Sequence, residues 1–302
     1  MKVRTPLAIM VFNRPDMTAR LFEAVRAARP PRLFVVADGP RADRPGEAEA
    51  CAKVRSIVEQ VDWPCAVEQE FSATNLGCKR RMSSGIDWVF GRVEEAIILE
   101  DDCIPGESFF AFCDALLERY REDERVMGVT GCNFQFGRPR GTASYHFSRY
   151  MHVWGWASWR RAWRHYDVDM AEWPLLREGR WPRDVFGGRV AASGWRHWFD
   201  LTHAGRLDTW DYQWLFAILR RGGLVATPNV NLVRNIGAGV GATHPVQKGP
   251  LHDQPAGSLD FPLFHPDEVR QDEQADEFFR RFFTPSLRGL LGLAARRLLA
   301  VQ

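Results

Sequence analysis

A short apolar run, Ala96-Ile97-Ile98-Leu99, ends abruptly in three carboxylates, Glu100, Asp101 and Asp102; Pro105 and Gly106 follow, and then an amphipathic stretch over 109–121. The pattern predicts a buried strand, an acidic tip, a loop and a helix. Open parallel sheets bind ligands at the carboxyl ends of their strands, so the tip lies where a ligand would sit. Three adjacent carboxylates repel one another unless a cation or a polar ligand occupies the space between them. Mg²⁺ and Mn²⁺ take oxygen ligands and combine one or two carboxylates with substrate phosphates. The competing reading is a solvated acidic loop, since such clusters are ordinary on surfaces; few of them abut a fully apolar strand.

The residues around this segment alternate in the same way. Strands are expected at 7–12, 33–37, 65–69, 97–99 and 126–130, with helices over 17–28, 47–60 and 78–90. Asp16 is a candidate N-cap of the first helix, and Pro30-Pro31 closes it. This order predicts an α/β fold with a mainly parallel sheet flanked by helices.

The chain has 302 residues and a formal net charge of +2. That length makes one large domain or two small ones, and the charge argues against a nucleic-acid partner. No apolar run approaches the ~18 residues of a transmembrane helix. The run at 7–12 lacks a small-residue cleavage site, so no signal peptide is expected and a cytoplasmic location is. The six cysteines form no C-x-x-C pair, which fits reduced thiols used in packing.

Composition shifts near Tyr150. Trp154, Trp156, Trp159, Trp163, Trp173, Trp181, Trp195, Trp198, Trp210 and Trp214 fall within one region of the chain. Indole faces stack on sugar rings, so a saccharide site is one explanation, with two or three of these tryptophans touching ligand. An aromatic core packing helices onto the sheet is the plainer one for most of them.

Taken together, Phe12-Asn13-Arg14-Pro15, Asp38-Gly39-Pro40-Arg41, Asn75-Leu76-Gly77, Leu99-Glu100-Asp101-Asp102 and Trp210-Asp211-Tyr212-Gln213-Trp214 resemble a GT-A-fold glycosyltransferase. The Glu-Asp-Asp form is most similar to the N-acetylglucosaminyltransferase I type, and bacterial family 2-like sugar transferases share the early motifs. The resemblance spans about 6–245 in motif order. It implies a nucleotide-sugar donor, a divalent metal and inverting transfer to an acceptor hydroxyl of a glycan or glycolipid.

By that resemblance Asp102 corresponds to the metal ligand, while Glu100 and Asp101 serve the donor's sugar and ribose hydroxyls, for which carboxylates are strong acceptors. Asp38 would accept the N–H of a uracil ring, which favours a UDP-sugar; Asp-Gly-Pro is also a strong turn sequence. Asn13, Asn75 and Arg14 would line the donor, with Arg14 able to fork onto the diphosphate. Lys79, Arg80 and Arg81 open a helix, where cations oppose the macrodipole unless an anion is bound; Lys79 and Arg80 are taken as donor-binding.

Inverting transfer needs a carboxylate to take the acceptor proton. Asp211 fits best between Trp210 and Tyr212, and Asp208 is the second candidate. The closest family pattern has two adjacent acids and then tryptophan, so this chain departs from it, and either aspartate could instead be an N-cap.

A strand is expected at 230–235, before a glycine-rich segment at 236–244 suited to a lid. His244 is a second candidate metal ligand. The catalytic domain is expected over 1–265, with a nucleotide-sugar half to about 135 and an acceptor half beyond. A helical tail at 266–302 ends in the leucine- and arginine-rich stretch 286–301, which would dock on the domain or lie on the inner face of a membrane. Two other functions compete: a sugar nucleotidyltransferase, which normally has a glycine-rich loop where this chain has Phe12-Asn13-Arg14-Pro15, and a non-catalytic nucleotide-sugar-binding module.

Overall fold

The structure is a computed structural model that describes residues 2–238, 251–252 and 254–283. Strand β1 (Leu7–Val11) leads into α1 (Pro15–Ala28), followed by β2 (Arg32–Ala37), α2 (Glu47–Val58), β3 (Ala66–Phe71) and α3 (Gly77–Phe90). Next come β4 (Glu95–Glu100), β5 (Cys103–Pro105), α4 (Glu107–Arg119) and β6 (Val126–Thr130). The Trp-rich half holds β7 (Tyr145–Ser148), β8 (Trp156–Trp159) and the short α5 (Arg160–Trp163), α6 (Trp173–Arg177) and α7 (Trp181–Phe186). Then α8 (Arg189–His203), α9 (Asp211–Arg220), β9 (Leu224–Pro228), β10 (Val233–Asn235) and α10 (Glu273–Phe283) complete it.

The chain is α/β, as expected. Eight strands form one sheet in the order β3-β2-β1-β4-β8-β6-β9-β7. β3, β2, β1 and β4 run parallel, as do β6 and β9, while β8 and β7 enter antiparallel. The sheet therefore carries strands from both sides of residue 135. β1, β4 and β6 lack polar alternation because both faces of the sheet are covered. Leu7, Ile9 and Val11 pack with α1, α2 and α4 on one face; Ala8 and Met10 pack with α3 and the Trp-rich helices on the other.

One expectation is corrected, and the plainer reading of the tryptophans holds. The first helix begins at Pro15 with Arg14 as its N-cap, so Asp16 lies in the first turn. Proline suits the first helical position because its fixed φ is already helical and its missing N–H needs no partner. The tryptophans are chiefly core: Trp156, Trp159, Trp163, Trp173, Trp195, Trp210 and Trp214 are buried. Several meet ring to ring, Trp156 stacking on Trp210 with centroids 5.6 Å apart. The indole N–H groups of Trp163, Trp173 and Trp159 find internal acceptors at Asp87 (2.7 Å), Asp200 (3.0 Å) and the Leu117 carbonyl (3.2 Å), whereas those of Trp156 and Trp214 are buried with no partner among the described residues.

All six cysteines are free. No helix among the described residues is long and apolar enough to cross a membrane. The described part of the tail docks on the domain: Asp276 accepts from Ser148 Oγ (2.5 Å), the Arg149 N–H (3.1 Å) and Gln271 Nε2 (2.7 Å), and Phe279 stacks on Phe134. The stretch 286–301 lies outside the described residues.

Candidate active site

The parallel register brings three strand ends together. Met10 pairs with Glu100 and Val11 with Ala37, and the chain continues the ladder one step further: the Asp101 N–H donates to the Met10 carbonyl (3.1 Å) and the Asp38 N–H to that of Val11 (3.2 Å). Phe12, Asp38 and Glu100–Asp102 thus border one cleft of about 300 Å³, whose wall also includes Arg14, Asn75, Arg81, Trp154, Asp208 and Asn235. The cleft lies at the carboxyl ends of β1, β2 and β4, where the topology rule expects a ligand.

The cation that three adjacent carboxylates call for is supplied in part by the chain. Arg14 forks onto Asp101 through Nε (3.2 Å) and Nη2, and its Nη1 donates to Asp102 Oδ2 at 3.0 Å. Burial works against the guanidinium charge, but Asp101, Asp102 and Glu100 outweigh it and raise its pKa. Burial pushes Asp101 up to about 6 against the pull of Arg14, with Asp102 adding repulsion. Glu100 is raised well above the carboxylate range, first by burial and then by its two acidic neighbours. It lines the cleft with no hydrogen-bond partner among the described residues, so it is the acid of the three whose hydrogen-bonding capacity is open to a ligand.

Asp102 is held from a second side. β10 pairs antiparallel with β5, aligning Asn235 with Cys103, and Asn235 Nδ2 donates to Asp102 Oδ1 at 3.2 Å. The Ile236 N–H donates to the Asp102 carbonyl at 2.8 Å. A Cβ at Gly237 would fall 2.1 Å from Asp102 Oδ2, so only glycine permits this approach.

The other candidates are distributed unevenly. Asp38 is buried and receives N–H groups from Gly39 (2.8 Å) and Leu76 (2.9 Å), and the Asn75 amide (3.0 Å). Burial raises its pKa more than these bonds lower it. Asn13 does not wall the cleft; its amide donates to Glu47 at 2.8 Å. On α3, Cys78, Arg81 and Met82 border the cleft, whereas Lys79 and Arg80 do not. Lys79 Nζ sits 3.7 Å from the exposed Asp169, and Arg80 is exposed. Helical spacing separates them: Cys78, Arg81, Met82, Gly85, Ile86 and Val89 share the inward face, which marks Arg81 as the basic residue that reaches the site.

The two candidate bases differ in employment. Asp208 accepts the Cys78 N–H (2.9 Å) and the Lys79 N–H (2.8 Å), capping α3 from 130 residues away. That cap substitutes for Leu76, the N-cap residue, whose side chain cannot accept. Asp208 thus fills the anion site at this helix end. Asp211 opens α9, receives Thr209 Oγ1, and lies within electrostatic reach of Glu100 and Cys78.

No three His, Cys, Asp or Glu side chains converge as metal ligands among the described residues. His244 lies outside them, as does most of the glycine-rich segment 236–244. Sequence reasoning missed Asn235 and His252 in the cleft wall, and reached Trp154 and Gly237 only as members of the tryptophan cluster and of the glycine-rich segment. Trp154, half-buried and 5.1 Å from the His252 ring, is the one tryptophan of the cluster that reaches the cleft.

No family model matches this sequence, and no curated protein is similar to it. Among solved structures, it is similar to 4-diphosphocytidyl-2C-methyl-D-erythritol synthase from Anaerococcus prevotii: 9% identity, 74% of this chain and 88% of that one, TM-score 0.35. UDP-glucose pyrophosphorylase complexed with UDP-glucose matches at 8% identity over 41% of this chain and 56% of that one, TM-score 0.23. HddC from Yersinia pseudotuberculosis, complexed with GMP-PN, matches at 8% identity over 51% and 77%, TM-score 0.31. Likenesses at this level decide no chemistry for this chain.

Proposed function

We propose that the protein is a metal-dependent, inverting glycosyltransferase that moves a sugar from a nucleoside-diphosphate donor to an acceptor hydroxyl. The observation that carries this reading is the convergence of Asp38, Arg14, Glu100, Asp101 and Asp102 on one cleft at three parallel strand ends, with Asp211 within electrostatic reach. In this reading Glu100 takes hydroxyls of the donor sugar, and Arg14 orients Asp101 and Asp102.

Asp102, whose carboxylate also accepts Arg14 and Asn235, is the residue that would hold a hard divalent ion beside the donor's diphosphate. When such an ion is bound, it offsets the charge that gathers on the departing diphosphate. The acceptor oxygen attacks the anomeric carbon as the carbon–oxygen bond to the diphosphate breaks. Asp211 takes the acceptor proton, and the diphosphate leaves with its electron pair.

A sugar nucleotidyltransferase is the second reading, and the solved structures named above include proteins of that kind. It would join a sugar 1-phosphate to a nucleoside triphosphate and release pyrophosphate. The segment after β1, Phe12-Asn13-Arg14-Pro15, has no glycine to cradle a triphosphate.

Product identity separates the readings. The protein is incubated with Mn²⁺ and a panel of nucleotide sugars, water standing in for the acceptor, and separately with sugar 1-phosphates and nucleoside triphosphates. Slow release of nucleoside diphosphate from one donor is expected, and omission of Mn²⁺ should suppress it. Pyrophosphate release in the second set would overturn the transferase reading in favour of the nucleotidyltransferase.

A further inference from the structure

Asp102 has one oxygen pinned and the other shared with a cation of the chain itself. Oδ1 receives Asn235 Nδ2 at 3.2 Å and the Cys103 thiol at 3.4 Å. The Asp102 carbonyl receives the Ile236 N–H at 2.8 Å, so the main chain is fixed from the same side. Oδ2 receives Arg14 Nη1 at 3.0 Å and no other donor among the described residues.

Arg14 divides its grip unequally. Nε and Nη2 fork onto the two oxygens of Asp101, whose side chain is 2% exposed. Arg14 and Asp102 are 18% and 15% exposed where they border the cleft. A fork through Nε and Nη2 holds the guanidinium without help from Nη1, so the bond to Asp102 can open while the anchor on Asp101 stays closed. The backbone stays in place as well: Arg14 caps α1, and its carbonyl accepts the Thr18 N–H and Thr18 Oγ1, each at 2.9 Å. A guanidinium carries five N–H groups. Three are used here, and the other two have no partner among the described residues. A divalent ion and a guanidinium drawn to the same oxygen repel each other, so each displaces the other from Asp102 Oδ2.

We propose that Arg14 is the built-in counter-ion of Asp102, which it releases to a divalent ion when a nucleoside diphosphate supplies the charge that lets both cations stay. The diphosphate accepts from the N–H groups that Arg14 withdraws from Asp102, and Oδ1, pinned by Asn235, keeps the carboxylate from turning away. The ion and the diphosphate therefore tighten each other by the same factor, as linkage requires. Arg14 is in this sense a positioning residue that sets how far the ion depends on the donor. The inference rests on the metal-dependent nucleotide-sugar reading and adds the regulation of that site.

The test is equilibrium dialysis of the full chain against Mn²⁺, with and without UDP, which counts the ion on the protein. Arg14→Met keeps the stem and frees Oδ2. It also leaves Asp101 buried without its partner, so Arg14→Met combined with Asp101→Asn is measured beside it and guards against a single variant that does not fold. Without UDP, both variants are expected to bind Mn²⁺ at least about tenfold more tightly than the unaltered protein. The factor by which UDP tightens Mn²⁺ should fall at least about threefold in both, since no arginine is left to displace. A purely structural clamp predicts the opposite sign, because a loosened acid cluster holds the ion less well. Unchanged or weaker Mn²⁺ binding by the doubly substituted protein would overturn the Arg14 assignment, and the metal-dependent reading would stand as long as UDP still tightens the ion. If the unaltered protein holds no Mn²⁺ even with UDP, that reading falls and the assignment with it.

Discussion

Two clusters dominate this chain, three acids at 100–102 and ten tryptophans beyond Tyr150, and the fold treats them in opposite ways. The acids stand at the edge of a cleft, tied by Arg14 and Asn235. Seven of the ten tryptophans are buried against the sheet, and one reaches the cleft. The difference is one of solvation. A carboxylate taken from water needs a counter-charge or donors, so a dense acidic cluster must face a partner, in the chain or in a ligand. An indole carries no charge and only one N–H, so a dense indole cluster can be buried without a ligand, even with the N–H groups of Trp156 and Trp214 left unpaired among the described residues.

The largest effect that could break this contrast lies at its boundary, where an acid sits among aromatic rings. Asp211 opens α9 between buried Trp210 and half-buried Tyr212, and Tyr212 stacks on Trp198 with ring planes 15° apart. Asp211→Asn keeps the shape and removes the base, so transfer should fall by about 10²–10⁴-fold while donor affinity and melting temperature hold. The measurement is single-turnover transfer beside calorimetry. Unaltered transfer would detach Asp211 from the chemistry and return it to the aromatic layer as a structural residue.

Trp214→Ala tests the other side. Trp214 is fully buried and lies against Trp156 and Trp163, with centroids 6.0 and 5.0 Å apart. Its removal should cost about 3–5 kcal/mol in denaturant unfolding, with donor affinity retained by the fraction still folded. A stable variant that had lost donor binding would turn the tryptophans back into ligand contacts.

The parts of the fold that could be read beforehand follow the same physics. β1, β2, β4 and β6 are short runs with apolar interiors, polar residues standing only at the ends of β2, β4 and β6, and their limits fall within one or two positions of expectation. β7, β8 and β9 were not anticipated. β7 and β8 have four residues each and sit in aromatic-rich sequence where no period of two stands out from its surroundings. At the site, the acids, Asp38 and Asn75 were legible because they follow strands. Arg81 needed the helical period applied to three adjacent cations, and Asn235 needed the β5–β10 pairing, which joins positions 132 residues apart at Asn235 and Cys103.

The smallest expected effect concerns Asp208, whose role depends on a contact no local pattern contains. At the start of α3 Gly77 adopts φ +79°, and a Cβ there would stand 2.9 Å from Asp208 Oδ2. The carboxylate is thus seated directly over the helix end, accepting the second and third amides as a local cap would. Asp208→Ala should therefore cost about 1 kcal/mol, read as a shift in the denaturant midpoint. Asp208→Asn keeps an acceptor oxygen for the same two amides and should recover most of that loss. Transfer by Asp208→Asn decides between the two aspartates: a cap need only accept, which asparagine does, whereas a base must take a proton, which asparagine does not. Near-normal transfer in a variant of near-normal stability leaves Asp208 as the cap that ties the Trp-rich half to the nucleotide side of the cleft. A loss of orders of magnitude at unchanged stability would make Asp208 the base and move the acceptor site to the end of α3.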